Sequence, residues 1–297
     1  MSNDGYGDMI DDRMGRLDRD LPRLGNRGMF GRAGKTARAR GHLRLVSRND
    51  SPVQIRTAPE MQAGRDPWHA LRQAGLGPES MFRADSPAGA DTAVEAAFDM
   101  LRTKLVKILR TNGWNRVAVA APTRGCGATF SAVSLAMSLA GIPGTRTVLM
   151  DMNLRRPGVA DALDMTAAGT MRAFLTGATE MGDHMVRAGD ALALGLTRGA
   201  ANDAGDVLNS EVCATVFNDM IDRLSPDVAL CDLPPVLEND DLSAFLPHVD
   251  GVILVADADR TTADHIARCE EQLFGQTQVL GVVLNQVARS GPAPFFA

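Results

Sequence analysis

Residues 116–140 read RVAVA-APTRGCG-ATFSAVSLAMSLA: a short apolar run, a loop holding Gly125 and Gly127, and a second, longer apolar run. A buried strand, a tight glycine turn and a helix in that order form the frame of a phosphate-binding P-loop. There, successive backbone N–H groups and a helix N-terminus face an anion. Gly125 and Gly127 permit the close approach, and Thr129 stands where a hydroxyl ligates Mg²⁺. The position just after the last glycine, usually lysine, is Ala128. Glycines at one turn are a weak signal alone, because any tight turn favours them.

The surrounding pattern strengthens it. Apolar runs at 116–120, 147–151, 191–196, 227–231, 251–256 and 279–285 alternate with helical periodicity at 91–111, 128–140, 157–175, 205–224, 241–247 and 262–274. Near-continuous apolar strands separated by helices predict an α/β fold, a P-loop NTPase-like doubly wound parallel sheet. Its ligands bind at the carboxyl ends of the strands. Two of those ends carry acids, Asp151 in VLMDMNLRRP and Asp232 in VALCDLPPV. A carboxylate there suits a nucleotide-bound Mg²⁺. Asp151 and Asp232 are thus the candidate catalytic residues and, with Thr129, the candidate metal ligands.

Composition frames the rest. The 297 residues are 45% hydrophobic but only 4% aromatic, which implies an aliphatic core. The net charge of −5 is uneven: residues 1–60 hold twelve Lys/Arg against eight Asp/Glu, and the remaining 237 residues hold 19 against 28. The chain divides into a basic N-terminal extension, 1–91, and a P-loop NTPase-like domain, 92–297. Within the extension, 1–66 lacks apolar periodicity and is expected to be disordered. DPWHALRQAG, with Pro67 at a helix start, predicts a short docking helix at 67–75. Gly34-Lys35-Thr36 imitates the end of a P-loop but has no strand before it. The cluster Arg32, Lys35, Arg38, Arg40, Arg44 and Arg48 reads first as a solvated flexible tail and second as a contact for anionic membrane lipid, with no nucleic acid favoured. Cys126, Cys213, Cys231 and Cys269 show no metal-ligand spacing. The absence of a membrane-length apolar run leads to the expectation of a soluble, cytoplasmic protein, peripheral to the inner membrane through a partner.

With RGCGATF, VLMDMNLRRP, LCDLPPVLENDD and GVVLNQV in view, residues 92–287 resemble the bacterial tyrosine autokinases (BY-kinases) of capsule and exopolysaccharide synthesis. The resemblance implies ATP or ADP with Mg²⁺ held by Arg124, Gly125, Cys126, Gly127, Ala128, Thr129 and Phe130, with Asn285 reading the adenine. It also implies a membrane polysaccharide co-polymerase or export protein as partner. The departures are specific. The family's loop lysine is Ala128, and the chain's three lysines, Lys35, Lys104 and Lys107, lie elsewhere. Asn153 replaces the second acid of the family's DxD. The family's ExxRxxR assembly helix aligns as Ala96, Asp99 and Arg102. Tyr6 is the only tyrosine. Losing one partner of a buried charged hydrogen bond costs roughly 2–5 kcal/mol, about 30-fold to a few thousand-fold in affinity. The expectation is therefore a pseudokinase-like regulator with weak or lost nucleotide binding. Two alternatives stand beside it: a slow ATPase or tyrosine kinase using Arg124, and a ParA/MinD-type positioning ATPase.

Overall fold

The computed structural model describes residues 42–44, 66–76 and 92–287, all of which fall in one compact unit. The Gly34-Lys35-Thr36 imitation, Tyr6, most of the arginine cluster and most of the stretch 1–66 expected to be disordered lie outside the described residues. Within that stretch His42–Arg44 form a strand and Asp66 caps a helix, contrary to that expectation.

Nine strands form one sheet: β1 (His42–Arg44), β2 (Arg72–Gln73), β3 (Arg116–Ala120), β4 (Thr147–Asp151), β5 (Val186–Ala188), β6 (Leu192–Gly195), β7 (Val228–Asp232), β8 (Gly251–Asp257) and β9 (Gln278–Asn285). Their order is β1-β9-β8-β3-β7-β4-β6-β5-β2. The six predicted strands are β3, β4 and β6 to β9, and they pair in parallel with one another. β1 on β9 and β5 on β6 are antiparallel. This is a mixed α/β fold with a mostly parallel sheet. Along each central strand the side chains alternate between two cores. Ala118, Val148, Met150, Ala229 and Cys231 face one side, and Val117, Val119, Leu149, Val228 and Leu230 the other. That is why the runs read as continuously apolar.

Helices α2 (Thr92–Asn112) and α3 (Ala128–Ala140) cover one face. α2 contributes Phe98, Leu101, Leu105 and Leu109 at helical spacing, all buried. The other face packs under α5 (Met171–Leu175), α7 (Ala204–Leu208) and α8 (Glu211–Leu224). The helix expected over 157–175 is two pieces, α4 (Val159–Ala162) and α5. Asp164 takes a positive φ between them, and Thr170 caps the second by accepting from the Ala173 N–H. The helix expected over 205–224 breaks in the same way, because Ser210 restarts it by accepting from the Cys213 N–H. Side-chain caps compete with helix continuation, and apolar periodicity does not register them.

The predicted helix at 67–75 is also shorter. α1 (Pro67–Ala70) makes one turn, capped by Asp66, and the chain then extends to pair β2 alongside β5. This segment docks through Trp68, which is fully buried. Its indole N–H donates to the Asp190 carbonyl at 2.8 Å, and Arg146 lies 5.4 Å from the ring centroid while pairing with Asp66. Trp68→Ala removes the largest anchor of a segment at the sheet edge. It should lower stability by about 3 kcal/mol, the low end for an emptied tryptophan site, as read by urea denaturation.

Near the same edge, α6 (Met181–His184) ends in a buried histidine stacked 4.7 Å from the Phe174 ring. Neither nitrogen of His184 has a hydrogen-bond partner among the described residues, and burial pushes its pKa down to about 4.

Candidate functional site

β7 lies between β3 and β4, so the loop after β3 and the acids ending β4 and β7 emerge side by side. The register places Asp151 directly beside Asp232. This is the point where consecutive connections leave the sheet in opposite directions, the usual crevice for ligands in such folds.

The loop after β3 owes its shape to two glycines and a set of braces. Gly125 and Gly127 have φ values of +78° and +88°. A Cβ at Gly127 would lie 2.2 Å from the Asn285 amide nitrogen, so only glycine fits. The Arg260 guanidinium and the Gln286 amide donate to the Gly125 carbonyl at 2.6 and 2.9 Å, and the Asn285 amide donates to the Cys126 carbonyl at 2.9 Å. Arg260 is itself held by the buried Asp257 at the end of β8. The loop carbonyls are thus tied back toward β8 and β9. The first N–H groups of α3, which have no intrahelical partner, remain for an anion.

On the other side, the Thr129 hydroxyl donates to Asp232 Oδ2 at 2.7 Å. Asp151 Oδ2 accepts from the Gly158 and Val159 N–H groups, both at 3.0 Å. The second oxygen of each carboxylate is buried without a hydrogen-bond partner among the described residues. Burial is the main cause that raises Asp151 to about 7, against the lowering pull of the Val159 and Gly158 N–H groups. Burial, then the adjacent Asp151 charge, raises Asp232 well above the usual carboxylate range. Two fully buried acids side by side with orphaned oxygens fit a divalent cation, which would supply the missing positive charge. Among the described residues no cluster of three or more His, Cys, Asp or Glu could hold a metal. The set instead suits Mg²⁺, which is commonly bound by one or two carboxylates plus phosphate oxygens.

The loop borders a cavity of about 630 Å³, lined by Arg124, Gly125, Cys126, Gly127, Ala128 and Thr129 together with Asn153, Arg155, Arg156, Asn202 and Glu238. Asp151 and Asp232 are buried and are not part of the lining; Thr129, which bonds Asp232, joins them to it. Two predicted site residues lie otherwise. Phe130 turns away to meet Phe98 edge-on at 6.1 Å. Asn285 braces the loop and is not part of the lining. Arg124 is committed: Glu238 accepts from its backbone N–H at 2.8 Å and from its guanidinium at 2.7 Å. Arg155 forms a two-pronged pair with the buried Asp241 at 2.5 and 3.0 Å. Arg260, Gln286, Asp257 and Glu238 were not singled out by the sequence reading. Asp257 had a usable signal, an acid closing an apolar strand, whereas Glu238 sits in a loop without pattern.

With this geometry, comparison with known proteins is informative. No protein-family model matches the chain. The tyrosine-protein kinase CpsD of Streptococcus agalactiae serotype Ia is 26% identical over 202 residues, spanning 66% of this chain and 84% of CpsD. The chain is homologous to the CpsD tyrosine-protein kinases. Solved kinase domains share the fold. That of the Escherichia coli tyrosine kinase ETK is 22% identical, with a TM-score of 0.65 over 75% of this chain and 86% of that one. The VpsO kinase domain is 24% identical, with a TM-score of 0.59 over 66% of this chain and 98% of its own. No helix among the described residues is long and apolar enough to cross a membrane.

Proposed function

We propose that this chain is a kinase-like P-loop protein of capsule or exopolysaccharide synthesis whose phosphate cradle is retained and whose phosphoryl-transfer chemistry is not. It would act as a regulator or scaffold on a membrane polysaccharide co-polymerase. One observation carries the reading. The glycine loop and Thr129 line one cavity, with Asp232 bonded to the Thr129 hydroxyl and Asp151 beside it, while the position that should supply the central cation is Ala128, the first residue of α3. Phosphoryl transfer depends on positioned positive charge at the developing anion. Asn153 removes a second charged group, and its side chain accepts from the Arg156 N–H as a turn cap.

The Arg124 alternative is disfavoured by the clasp with Glu238, which neutralises that guanidinium. Assembly is expected to be weak as well. Asp99 and Arg102, at two positions of the family's assembly motif, pair with each other at 2.9 Å, and Ser138 contacts both.

In this site Thr129 and the two acids would hold the metal, and the loop N–H groups the phosphates. Bound Mg²⁺ would supply charge neutralisation. The protein residues would orient the phosphates and, through Leu233, Pro234 and Pro235, limit water on one wall. The deciding experiment offers labelled Mg-ATP to the purified chain, alone and with the cytoplasmic segment of a co-polymerase. The expected result is co-purification with that segment and no transfer of label. Rapid labelling of a tyrosine would overturn the reading.

A further inference from the structure

We infer that Arg156 meets the terminal phosphate of a bound nucleotide, in place of the lysine that position 128 lacks. The inference rests on the retained cradle proposed above. It comes from an inventory of the positive charge around the cavity. Three guanidinium groups line it. Arg124 is neutralised by Glu238 and Arg155 by Asp241. Arg156 is exposed and has no ion-pair partner among the described residues.

Its placement follows from the turn after β4. The Asn153 side chain accepts from the Arg156 backbone N–H at 3.3 Å and fixes the start of that turn two residues past Asp151. Asn153 is neutral, so it adds no carboxylate to compete for the guanidinium. An aspartate there would be an acid three residues from Arg156 across a capped turn. The two departures from the kinase pattern, lysine to Ala128 and acid to Asn153, therefore offset one another in charge. They leave Arg156 as the cation without an ion-pair partner, among the described residues, in the lining of the cavity that Ala128 and Thr129 also line.

A guanidinium offers two parallel N–H donors to a phosphate, but on a longer and freer stem than the missing lysine. Ordering that exposed side chain consumes rotamer entropy, so the gain is smaller than a preorganised loop lysine provides.

The test is calorimetric titration of the full chain with Mg-ATP, Mg-ADP and inorganic pyrophosphate. Arg156→Ala should weaken Mg-ATP and pyrophosphate roughly ten- to hundredfold, with a smaller effect on Mg-ADP, and Arg156→Lys should restore part of the loss. Arg124→Ala tests the competing guanidinium of the lining, and its pairing with Glu238 leads to a smaller loss than that of Arg156→Ala. Because Arg156 is exposed and unpaired, the alanine variant should keep the native circular dichroism spectrum. Equal binding by native protein and Arg156→Ala, or a loss that follows Arg124→Ala instead, overturns the inference. So does a native protein that binds none of the three ligands, a result that leaves the scaffold reading intact. Label transfer to tyrosine would sink the scaffold reading without touching this one.

Discussion

Replacing Ala128 by lysine raises the affinity for Mg-ATP by about 30-fold, and by up to a few thousand-fold if no other group now holds the terminal phosphate. The new side chain starts from the first residue of α3 and enters the cavity that Gly127, Thr129 and Arg156 already line. Around it, the loop carbonyls stay tied to Arg260, Asn285 and Gln286, so the cradle needs no rebuilding. If Arg156 supplies a cation, part of the lysine's task is already done, and the gain falls at the low end. The ligand-free variant should be slightly less stable than the native protein, by about 0.3–1 kcal/mol, because a positive charge at a helix N-terminus opposes the macrodipole. Saturating Mg-ATP should more than reverse that difference through linkage. Tyrosine phosphorylation is not expected to return, since Asn153 still lacks the second acid. Calorimetry for affinity and thermal denaturation with and without nucleotide read both effects. An unchanged affinity would mean that the loop's N–H groups do not face a phosphate.

The contrast between Ala128 and Asn285 shows how far a sequence carries. A strand, a glycine loop and a helix were legible at 116–140 because the apolar runs and the glycine positions are local, and the structure keeps those bounds for β3 and α3. The adjacency of Asp151 and Asp232 was also legible, since both close central strands of one sheet. What Asn285 touches was not. Its amide is spent on the Cys126 carbonyl, a contact across 159 residues set by how β9 packs beside β8. The same holds for Glu238, whose grip on Arg124 decides whether that arginine is a free cation. Long-range side-chain pairing leaves no period or spacing in the sequence. Strand β5 was missed for a related reason: three residues of moderate polarity give no pattern, and their strand character comes from pairing with β6.

Asp232→Asn should stabilise the metal-free protein at pH 8 and abolish most of its Mg²⁺-dependent nucleotide affinity. Asp151 and Asp232 are buried side by side, each with an oxygen that nothing among the described residues satisfies. An amide at 232 keeps an oxygen for the Thr129 hydroxyl and removes one desolvated charge beside another. The expected gain is on the order of 2–4 kcal/mol in the absence of metal. The loss of Mg²⁺-dependent affinity should reach at least about 30-fold. The pH dependence identifies the cause. Folded Asp151 keeps its proton to about pH 7, whereas the unfolded chain releases it near the ordinary carboxylate value of 3.8. Between those values the folded state binds more protons, so metal-free stability falls as pH rises through the window. His184 acts oppositely: its unfolded value is 6.5 and burial holds the folded ring near 4, so it removes stability as pH falls through that interval. Both proteins carry His184, so its contribution cancels in their difference. The native curve minus the Asp232→Asn curve should therefore slope downward as pH rises above the ordinary carboxylate value, because folded Asp232 holds its proton well above that value and the variant has no such group. Urea titrations in EDTA at several pH values measure it. A flat difference would mean that burial and the Asp151 charge do not hold a proton on Asp232. Added Mg²⁺ should erase the native protein's deficit at pH 8 and leave the variant unchanged, since a divalent ion binds the ionised pair and stabilises whichever fold presents it.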